Sequence, residues 1–270
     1  MKKFLVPVDF SGTSVNAAEY AVHLVNGIAD AEIILYNVFS KISFATFAEA
    51  GENSRKAITD GELEDLKASL SPVDGVNIIT ESEEGFFIEN IERYVLGNHI
   101  DMIIMGITGN SRIKQVFMGT NTLNVIRHVN VPVMIIPPKA KFSGLKEVVF
   151  TSDFKDVART TPFNSLKDIL DTFKPKLQVL NVDSEHYIEL TDEFKVERES
   201  MENRLNSYNP EFSFLRAYDF LEGINRFVET KNIDAIITVP RKHSFLSQLF
   251  KTSHTKALAY HSHVPTIAIH

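Results

Sequence analysis

The residues best suited to chemistry form a glycine-rich segment in the first half of the chain. Two residues separate Gly106 from Gly109, and nine further residues separate Gly109 from Gly119, which Thr120 follows. Glycine allows the backbone to approach a ligand closely and to adopt positive φ values. A helix that begins at Gly119 would offer unpaired N–H groups and its dipole to phosphate oxygens, with the hydroxyls of Thr120 and Thr122 beside them. The segment therefore predicts a phosphate-binding loop.

A carboxylate that follows another apolar run is the second candidate. Asp9 comes after the apolar run at 4–8, whereas the glycine segment comes after the run at 101–105. In an open α/β sheet, ligands bind at the carboxyl ends of the strands, where the strand order reverses. If the two runs are neighbouring strands, Asp9 would lie beside the glycine segment, where it could hold ribose hydroxyls or a magnesium ion.

The elements that must position these residues alternate along the chain. In the first half we predict strands at 4–8, 32–38, 76–80, 101–105 and 131–136, and helices at 14–27, about 53–70, 85–98 and 119–129. The strands are continuously apolar, which indicates a parallel sheet covered by helices on both faces. The predicted fold class is therefore α/β, with a doubly wound, five-stranded parallel sheet.

The second half of the chain repeats the first, strand by strand. Four pairs are in register: Asp9 with Asp153 and Asn37 with Asn181 at an offset of 144, and Asp101 with Asp234 and Pro132 with Pro265 at an offset of 133. Matches at four strands indicate a tandem duplication. We predict two domains, at 1–138 and 145–270, joined by the Pro/Lys-rich stretch at 137–146.

Taken together, these motifs resemble the universal stress protein family, and specifically its nucleotide-binding branch. The family pattern is G, two residues, G, nine residues, then G followed by Ser or Thr; PVDFS at 7–11, NV at 37–38 and NVPV at 130–133 are also typical of it. The resemblance covers essentially the whole chain. It implies a fold like that of the adenine nucleotide alpha hydrolases, and ATP, with or without Mg²⁺, in the first copy.

The resemblance also implies a role for each matching residue. Asp9 would contact the ribose, and the backbones of Val38 and Met105 would meet adenine. The residues expected around the ribose and phosphates are Gly106, Gly109, Gly119, Thr120, Asn121 and Thr122. Arg112 and Lys114 either meet the outer phosphates or face solvent. The alternative for the glycines is a turn that serves only close strand–helix packing.

The second copy departs from this pattern. The positions of Gly106, Gly109 and Gly119 hold Val239, Lys242 and Thr252. Side chains there would fill the space that a close-approaching backbone leaves for phosphate, so we expect no cofactor in this copy. Because single-domain members of the family dimerise, often through their last strands, we expect the copies to pack as an intramolecular pseudo-dimer through 131–136 and 266–269. A homodimer of the whole chain is a further alternative.

Composition limits the remaining functions. The chain has 270 residues, no cysteine and a net charge of -7, and residues 1–136 carry 10 Lys and Arg against 17 Asp and Glu. The absence of cysteine excludes disulfides and thiol catalysis. The negative charge argues against general nucleic-acid binding, and no apolar run reaches the roughly 18 residues of a membrane span. We therefore expect a cytoplasmic protein in which local backbone amides bind the anion, with or without the side chains of Arg112 and Lys114.

No catalytic pattern accompanies the glycine segment. The sequence contains no GxxxxGK[ST], no GxSxG and no HExxH, and no general base is paired with a nucleophile. The leading hypothesis is an ATP-binding regulatory protein of the stress response that acts through protein partners which the sequence does not name. The alternatives are an interaction scaffold that binds no nucleotide and a slow ATPase. The apolar segment at 39–51 is a lid, a partner-docking patch or a short packed helix.

Overall fold

The computed structural model describes residues 1–39, 52–70, 76–107, 120–183, 191–217, 220–240 and 264–270. These form two compact units, Met1–Phe142 and Ser143–His270. The predicted α/β fold class is confirmed, because each unit has helices around its own set of parallel strands. No helix in the described ranges is long and apolar enough to cross a membrane. Nearly all of the segment at 39–51 lies outside the described residues.

The first unit contains nine helices and strands in the described ranges. They are β1 (Lys2–Pro7), α1 (Gly12–Leu24), β2 (Ala31–Phe39), α2 (Glu52–Ser69), β3 (Val76–Glu84), α3 (Phe87–Asn98), β4 (Met102–Gly106), α4 (Thr120–His128) and β5 (Val133–Ile136). The strands pair in parallel in the order β3-β2-β1-β4-β5. The order reverses at β1, so the predicted crevice between the ends of β1 and β4 exists.

The second unit has the same strand order. Its elements are β6 (Glu147–Thr151), α5 (Val157–Thr160), α6 (Phe163–Phe173), β7 (Lys176–Asp183), α7 (Asp192–Leu205), a 3₁₀ turn (Asn206–Tyr208), β8 (Glu211–Arg216), α8 (Phe220–Lys231), β9 (Ala235–Thr238) and β10 (Thr266–Ala268). The parallel pairs run β8-β7-β6-β9-β10. The two units are therefore copies of one fold, as the repeat predicts.

The central strands are apolar because helices cover both of their faces. Phe4, Leu5 and Val6 of β1 are at most 1% exposed, and Ile103 and Ile104 of β4 are fully buried. Amphipathic helices supply the cover, and α3 buries Ile91, Tyr94 and Val95, which lie three and four residues apart on one helical face. Burial on both faces thus explains why these strands lack the alternation of a half-exposed sheet.

An asparagine holds the first two strands together in both units. The Asn37 side chain donates to the Val8 carbonyl at 2.7 Å, and the Asn181 side chain donates to the Ser152 carbonyl at 2.9 Å. The two bonds are related by the offset of 144. Because the bond is present in both copies, it is part of the scaffold, whereas the site role that the family resemblance implies concerns the backbone of the next residue, Val38.

A carboxylate holds the start of the first and fourth strands in the same way. Asp101 accepts a hydrogen bond from the Lys3 backbone N–H at 2.8 Å, and Asp234 accepts one from the Glu147 backbone N–H at 2.9 Å. These bonds lie at the amino ends of the strands, away from the crevice. They keep β1 beside β4 and β6 beside β9.

The copies differ in the helix that follows the first strand. In the first unit α1 is continuous over 13 residues, whereas its counterpart is split into α5, of 4 residues, and α6, of 11. The break falls at Thr161-Pro162, because proline lacks an N–H and disfavours helical backbone at the residue before it. Thr161 is accordingly extended, with φ -102° and ψ 118°.

The stretch predicted as a linker is partly docked on the first unit. The Asn16 side chain of α1 donates to the Ala140 carbonyl at 3.1 Å, and Lys141 forms an ion pair with Glu19 at 2.9 Å. Phe142 packs edge-on against another α1 residue, Tyr20. Asn16 and Glu19, which have no role in the sequence pattern, therefore fasten residues 137–142 to α1.

We expect Asn181→Ala to lower the free energy of unfolding of the second unit by about 1–3 kcal/mol, because the Ser152 carbonyl loses its partner in a partly buried position. Asn203→Ala is the matched control, since Asn203 is exposed on α7 and should change the stability little. Urea denaturation followed by amide hydrogen exchange in β6 and β7 would measure the difference. Equal stability of the two variants would contradict the assigned role.

Candidate functional site

A cavity of about 150 Å³ opens at the carboxyl ends of β1, β2 and β4. Five of the residues predicted for the site line it: Asp9, Val38, Met105, Gly106 and Asn121. Five further lining residues were not assigned to ligand binding from the sequence: Pro7, Val8, Ser14, Asn37 and Phe87. Ser14 lies in the first turn of α1, where serine is also common as a helix cap, and Phe87 gives no signal, because its place at the start of α3 depends on the fold.

The remaining predicted residues are placed as follows. Gly109, Arg112, Lys114 and Gly119 lie outside the described residues, and so does the side chain of Thr120, where α4 begins. Thr122 is fully buried, and its hydroxyl donates to the Gly106 carbonyl at 3.4 Å. That hydroxyl therefore joins α4 to β4 and does not line the cavity.

Gly106 has a structural reason to be glycine. A Cβ at this position would lie 2.7 Å from the Thr13 carbonyl carbon and closer still to its oxygen. Its φ does not lie in the positive region that three other described glycines adopt. At this position, close strand–helix packing is the requirement. That packing brings the first turn of α1, including Ser14, to the cavity.

Val38 presents backbone hydrogen-bonding groups to the cavity. The Tyr36 carbonyl accepts a hydrogen bond from the backbone N–H of Val8, which follows β1, at 2.8 Å. The Phe39 carbonyl accepts one from the backbone N–H of Gly85, which follows β3, at 3.0 Å. Successive residues of a strand direct their backbone groups to opposite edges, so those of Val38, like those of Tyr36, face the β1 side. Because β1 ends at Pro7, the Val38 groups point past it into the crevice.

Met105 contributes in a different way from the one predicted. The N–H of Ile103 donates to Pro132 at 2.9 Å and that of Ile107 to Ile136 at 3.3 Å, so alternate residues of β4 face β5. Met105 lies between them and is paired with β5. Its backbone groups therefore belong to the sheet, and Met105 lines the cavity with its apolar side chain. The adenine contact that the resemblance assigns to Met105 stays a prediction, and the pairing with β5 favours its side chain over its backbone for that contact.

Asp9 is held by the start of α1. Its Oδ1 accepts from the Ser11 backbone N–H at 3.1 Å and from the Ser11 hydroxyl at 2.5 Å. Partial burial alone would raise the pKa of Asp9, but the hydrogen-bonding groups of Ser11, together with the nearby Ser14 hydroxyl, outweigh it and lower the pKa below its ordinary value. The carboxylate is thus ionised at neutral pH, and as an acceptor it can only meet a hydrogen-bond donor.

The second unit keeps the turn but not its surroundings. Phe10 and Phe154, which follow the two aspartates, both adopt left-handed backbone with φ of 59° and 50°. The Lys155 N–H donates to Asp153 at 3.2 Å, as Ser11 does to Asp9. The first residue of α5, Val157, donates its N–H to the Glu197 carboxylate at 2.7 Å. In this copy a side chain of the protein itself binds at the start of the helix.

No group of three or more metal-binding His, Asp or Glu side chains is found in the part of the chain that the structure describes. Magnesium, which takes oxygen ligands and keeps several waters, is commonly held by one or two carboxylates together with substrate phosphates. Asp9 is the lining residue whose oxygens fit such a role. The cavity does not contain a metal cage of its own among these residues.

Comparisons with known proteins agree with this architecture. The model described as the universal stress protein family matches residues 1–137. Two universal stress proteins of Methanocaldococcus jannaschii are similar in sequence: one is 27% identical over 146 residues, covering 52% of this chain and 84% of the relative, and the other is 28% identical over 156 residues, covering 51% and 96%.

A solved structure is similar over the length of the chain. The crystal structure of a universal stress protein from Archaeoglobus fulgidus has a TM-score of 0.68 at 18% identity and covers 99% of this chain and 97% of its own. At that identity the likeness concerns the fold. It extends the resemblance from the first unit to both.

We expect Gly106→Ala to destabilise the first unit by about 1–3 kcal/mol, because the added methyl overlaps the α1 backbone. Gly97→Ala is the matched control: a Cβ there meets nothing within 4 Å, and the residue lies in α3. Alanine should leave that helix equal or more stable. Thermal unfolding of both variants tests this, and a harmless Gly106→Ala would show that α1 does not depend on the close contact.

We expect the carboxyl of Asp9 to titrate below its ordinary pKa of about 3.9, and Ser11→Ala to move it upward. Because the folded-state pKa is lowered, the stabilisation by the carboxylate is complete above about pH 4 and is lost as the pH falls through the folded pKa. A ¹³C NMR titration, assigned with Asp9→Asn, measures both values. An Asp9 pKa that Ser11→Ala leaves unchanged would contradict the assigned hydrogen bonds.

Proposed function

Because the chain belongs to the universal stress protein family, we propose that it is an ATP-binding regulatory protein of the stress response whose first unit holds the nucleotide. The proposal rests on one observation above all. The cavity has a hydrogen-bond-accepting carboxylate, Asp9, at the end of β1, and the start of a nine-residue helix, α4, beside it at Asn121. A sugar hydroxyl can donate to the Asp9 carboxylate, and an anion suits the start of α4.

Electrostatics orient the ligand between these two ends. An ionised carboxylate repels phosphate, so the phosphates would lie away from Asp9. The unpaired N–H groups and the positive end of the dipole at the start of α4 attract them. No acidic residue lies in the first turn of α4 to oppose this. The phosphates would then lie at the start of α4, which follows Gly119 directly in the sequence.

The part of the cavity that Val38, Met105 and Phe87 line suits a purine base. Val38 offers one backbone donor and one acceptor, and Met105 and Phe87 supply apolar surface. Adenine has an amino donor next to a ring-nitrogen acceptor and a flat apolar face, which match these groups. Any magnesium ion would be held by the phosphate oxygens and by waters, because the sugar engages Asp9.

A regulatory role fits the residues better than rapid hydrolysis. The described lining residues include one ionisable side chain, Asp9, and Ser11 holds it through two hydrogen bonds. A ligand that binds one conformation in preference to another shifts the equilibrium by about 2.7 kcal/mol at 100 times its Kd. A shift of that size is enough to switch a surface that a partner protein recognises. Partner proteins, and the pseudo-dimer of the two copies, remain part of this proposal.

We propose that the second unit takes no nucleotide. Its sequence has Val239, Lys242 and Thr252 in place of the three glycines. The helix after its first strand is broken at Pro162, and Glu197 occupies the N–H at the start of α5. The surroundings of Asp153 thus differ from those that hold Asp9 in the first unit.

Purified protein should release adenine nucleotide on denaturation, or bind ATP in calorimetry with one site per chain. Gly109→Lys, which introduces the residue of the second copy, should abolish binding and leave the circular dichroism spectrum unchanged, because the family resemblance assigns Gly109 to the phosphate contact, where a lysine side chain would take the space of the phosphates. Lys242→Gly, the reciprocal change, is the control and should leave the stoichiometry at one.

The alternatives give different results in the same assays. A scaffold without a ligand would release no nucleotide and show no ATP binding, which would overturn the proposal. ATP turnover that disappears on Asp9→Ala or Thr120→Ala would replace the regulatory role with that of a slow ATPase. Undiminished ATP affinity in Gly109→Lys would overturn the assignment of the site.

A further inference from the structure

Three hydroxyls surround the backbone turn that carries Asp9. The Ser11 hydroxyl donates to Asp9 Oδ1 at 2.5 Å, and the Ser11 backbone N–H reaches the same oxygen at 3.1 Å. The Ser14 hydroxyl accepts from the Asp9 backbone N–H at 3.3 Å. The third hydroxyl, that of Thr13, lies 3.0 Å from the Ser11 hydroxyl. Both bonds to the carboxylate end on one of its two oxygens, which fixes the carboxylate plane.

The protons of these hydroxyls can be assigned. A hydroxyl has one proton to donate. Ser14 donates its proton to the Ser11 carbonyl at 3.0 Å, and Ser11 donates its own to Asp9. The Ser11 oxygen also accepts from the Ser14 backbone N–H at 3.3 Å as the cap of α1. Thr13 is then the donor in its contact with Ser11. Ser11 therefore has no proton left for a ligand and acts on it only through Asp9.

The second unit separates the scaffold from this network. At the offset of 144, Asp9 becomes Asp153, and the backbone bond to the carboxylate persists through Lys155. The three hydroxyl residues Ser11, Thr13 and Ser14 become Lys155, Val157 and Ala158. The backbone bond is thus common to both copies. The hydroxyl network occurs only in the copy with the glycine segment.

The network determines which ligand groups the carboxylate can accept. With Oδ1 engaged twice by Ser11, the acceptor capacity that Asp9 offers to the cavity lies mainly on Oδ2. An ionised carboxylate oxygen can accept two hydrogen bonds, and a vicinal diol supplies two donors on adjacent carbons. A deoxyribose supplies one. A carboxylate free to rotate would adapt to either sugar, whereas a fixed one favours the diol.

On this geometry, and resting on the proposed nucleotide function, we propose that Ser11 is a positioning residue that makes the first unit selective for ribonucleotides over deoxyribonucleotides. Its hydroxyl holds the Asp9 carboxylate in the orientation that receives both the 2′- and the 3′-hydroxyl. The selectivity belongs to the pair of residues, because Asp9 makes the contact and Ser11 sets its direction.

The test compares the Kd values of ATP, 2′-deoxy-ATP and 3′-deoxy-ATP in calorimetry. The wild-type protein should bind ATP about tenfold or more tightly than either deoxy analogue, because a hydrogen bond to a charged group is lost. Ser11→Ala should reduce that ratio to about threefold or less by weakening ATP binding, with little change for the analogues. Ser11→Thr, which keeps a hydroxyl, should restore the ratio.

Further variants separate positioning from stability. Ser11 also caps α1, so Ser11→Ala removes a cap as well as the hydroxyl, whereas glycine is nearly as good a cap and lacks the hydroxyl. Ser11→Gly should therefore lose the preference for ATP over the deoxy analogues, while its melting temperature stays closer to that of the wild type than the melting temperature of Ser11→Ala does. Lys155→Ala, at the matching position of the second unit, should leave all three affinities unchanged.

The outcomes are distinct for the inference and for the function on which it rests. Wild-type protein that binds ATP and both deoxy analogues equally would overturn the role of Ser11 and leave the nucleotide site standing. A wild-type ratio in both Ser11→Ala and Ser11→Gly would overturn it as well. Wild-type protein that binds none of the three would overturn the proposed function, and this inference with it.

Discussion

The close contact between α1 and β4 at Gly106 is the constraint on which the candidate site depends. Because residue 106 has no side chain, the Thr13 carbonyl can rest against the end of β4. The same contact brings Ser14 to the cavity, and Ser14 holds the backbone of Asp9. On the other side, the buried Thr122 hydroxyl ties α4 to the Gly106 carbonyl. One glycine thus joins the strand to both helices whose first turns face the cavity.

The duplication distinguishes the scaffold from the site within one chain. The asparagine that joins the first two strands and the aspartate that joins the first and fourth make the same bonds in each copy. These residues serve the fold. The motif at 37–38 therefore joins a scaffold residue, Asn37, to a predicted site residue, Val38. Features present in one copy only, namely the glycines, the hydroxyls around Asp9 and the unbroken α1, are the ones that carry the proposed function.

Sequence reasoning succeeded where a local pattern reflects burial and failed where a tertiary contact decides. Apolar runs give the buried strands, but β3 continues to Glu84 through polar residues, because an edge strand can place them at the surface. The direction of the Met105 backbone follows from its pairing with β5, which no residue type reveals. The buried role of Thr122 depends on a carbonyl 16 residues away. The break at Pro162, by contrast, has a visible signal in the sequence, since proline seldom continues a helix.

The docked segment at 137–142 gives α1 a second set of contacts in addition to those at the cavity. The helix has 13 residues and is therefore about 20 Å long. Its first turn contacts the cavity, and its later turns hold Ala140, Lys141 and Phe142 through Asn16, Glu19 and Tyr20. Both sets of contacts are therefore made by a single helix. In this way α1 connects the cavity with the residues through which the chain leaves the first unit.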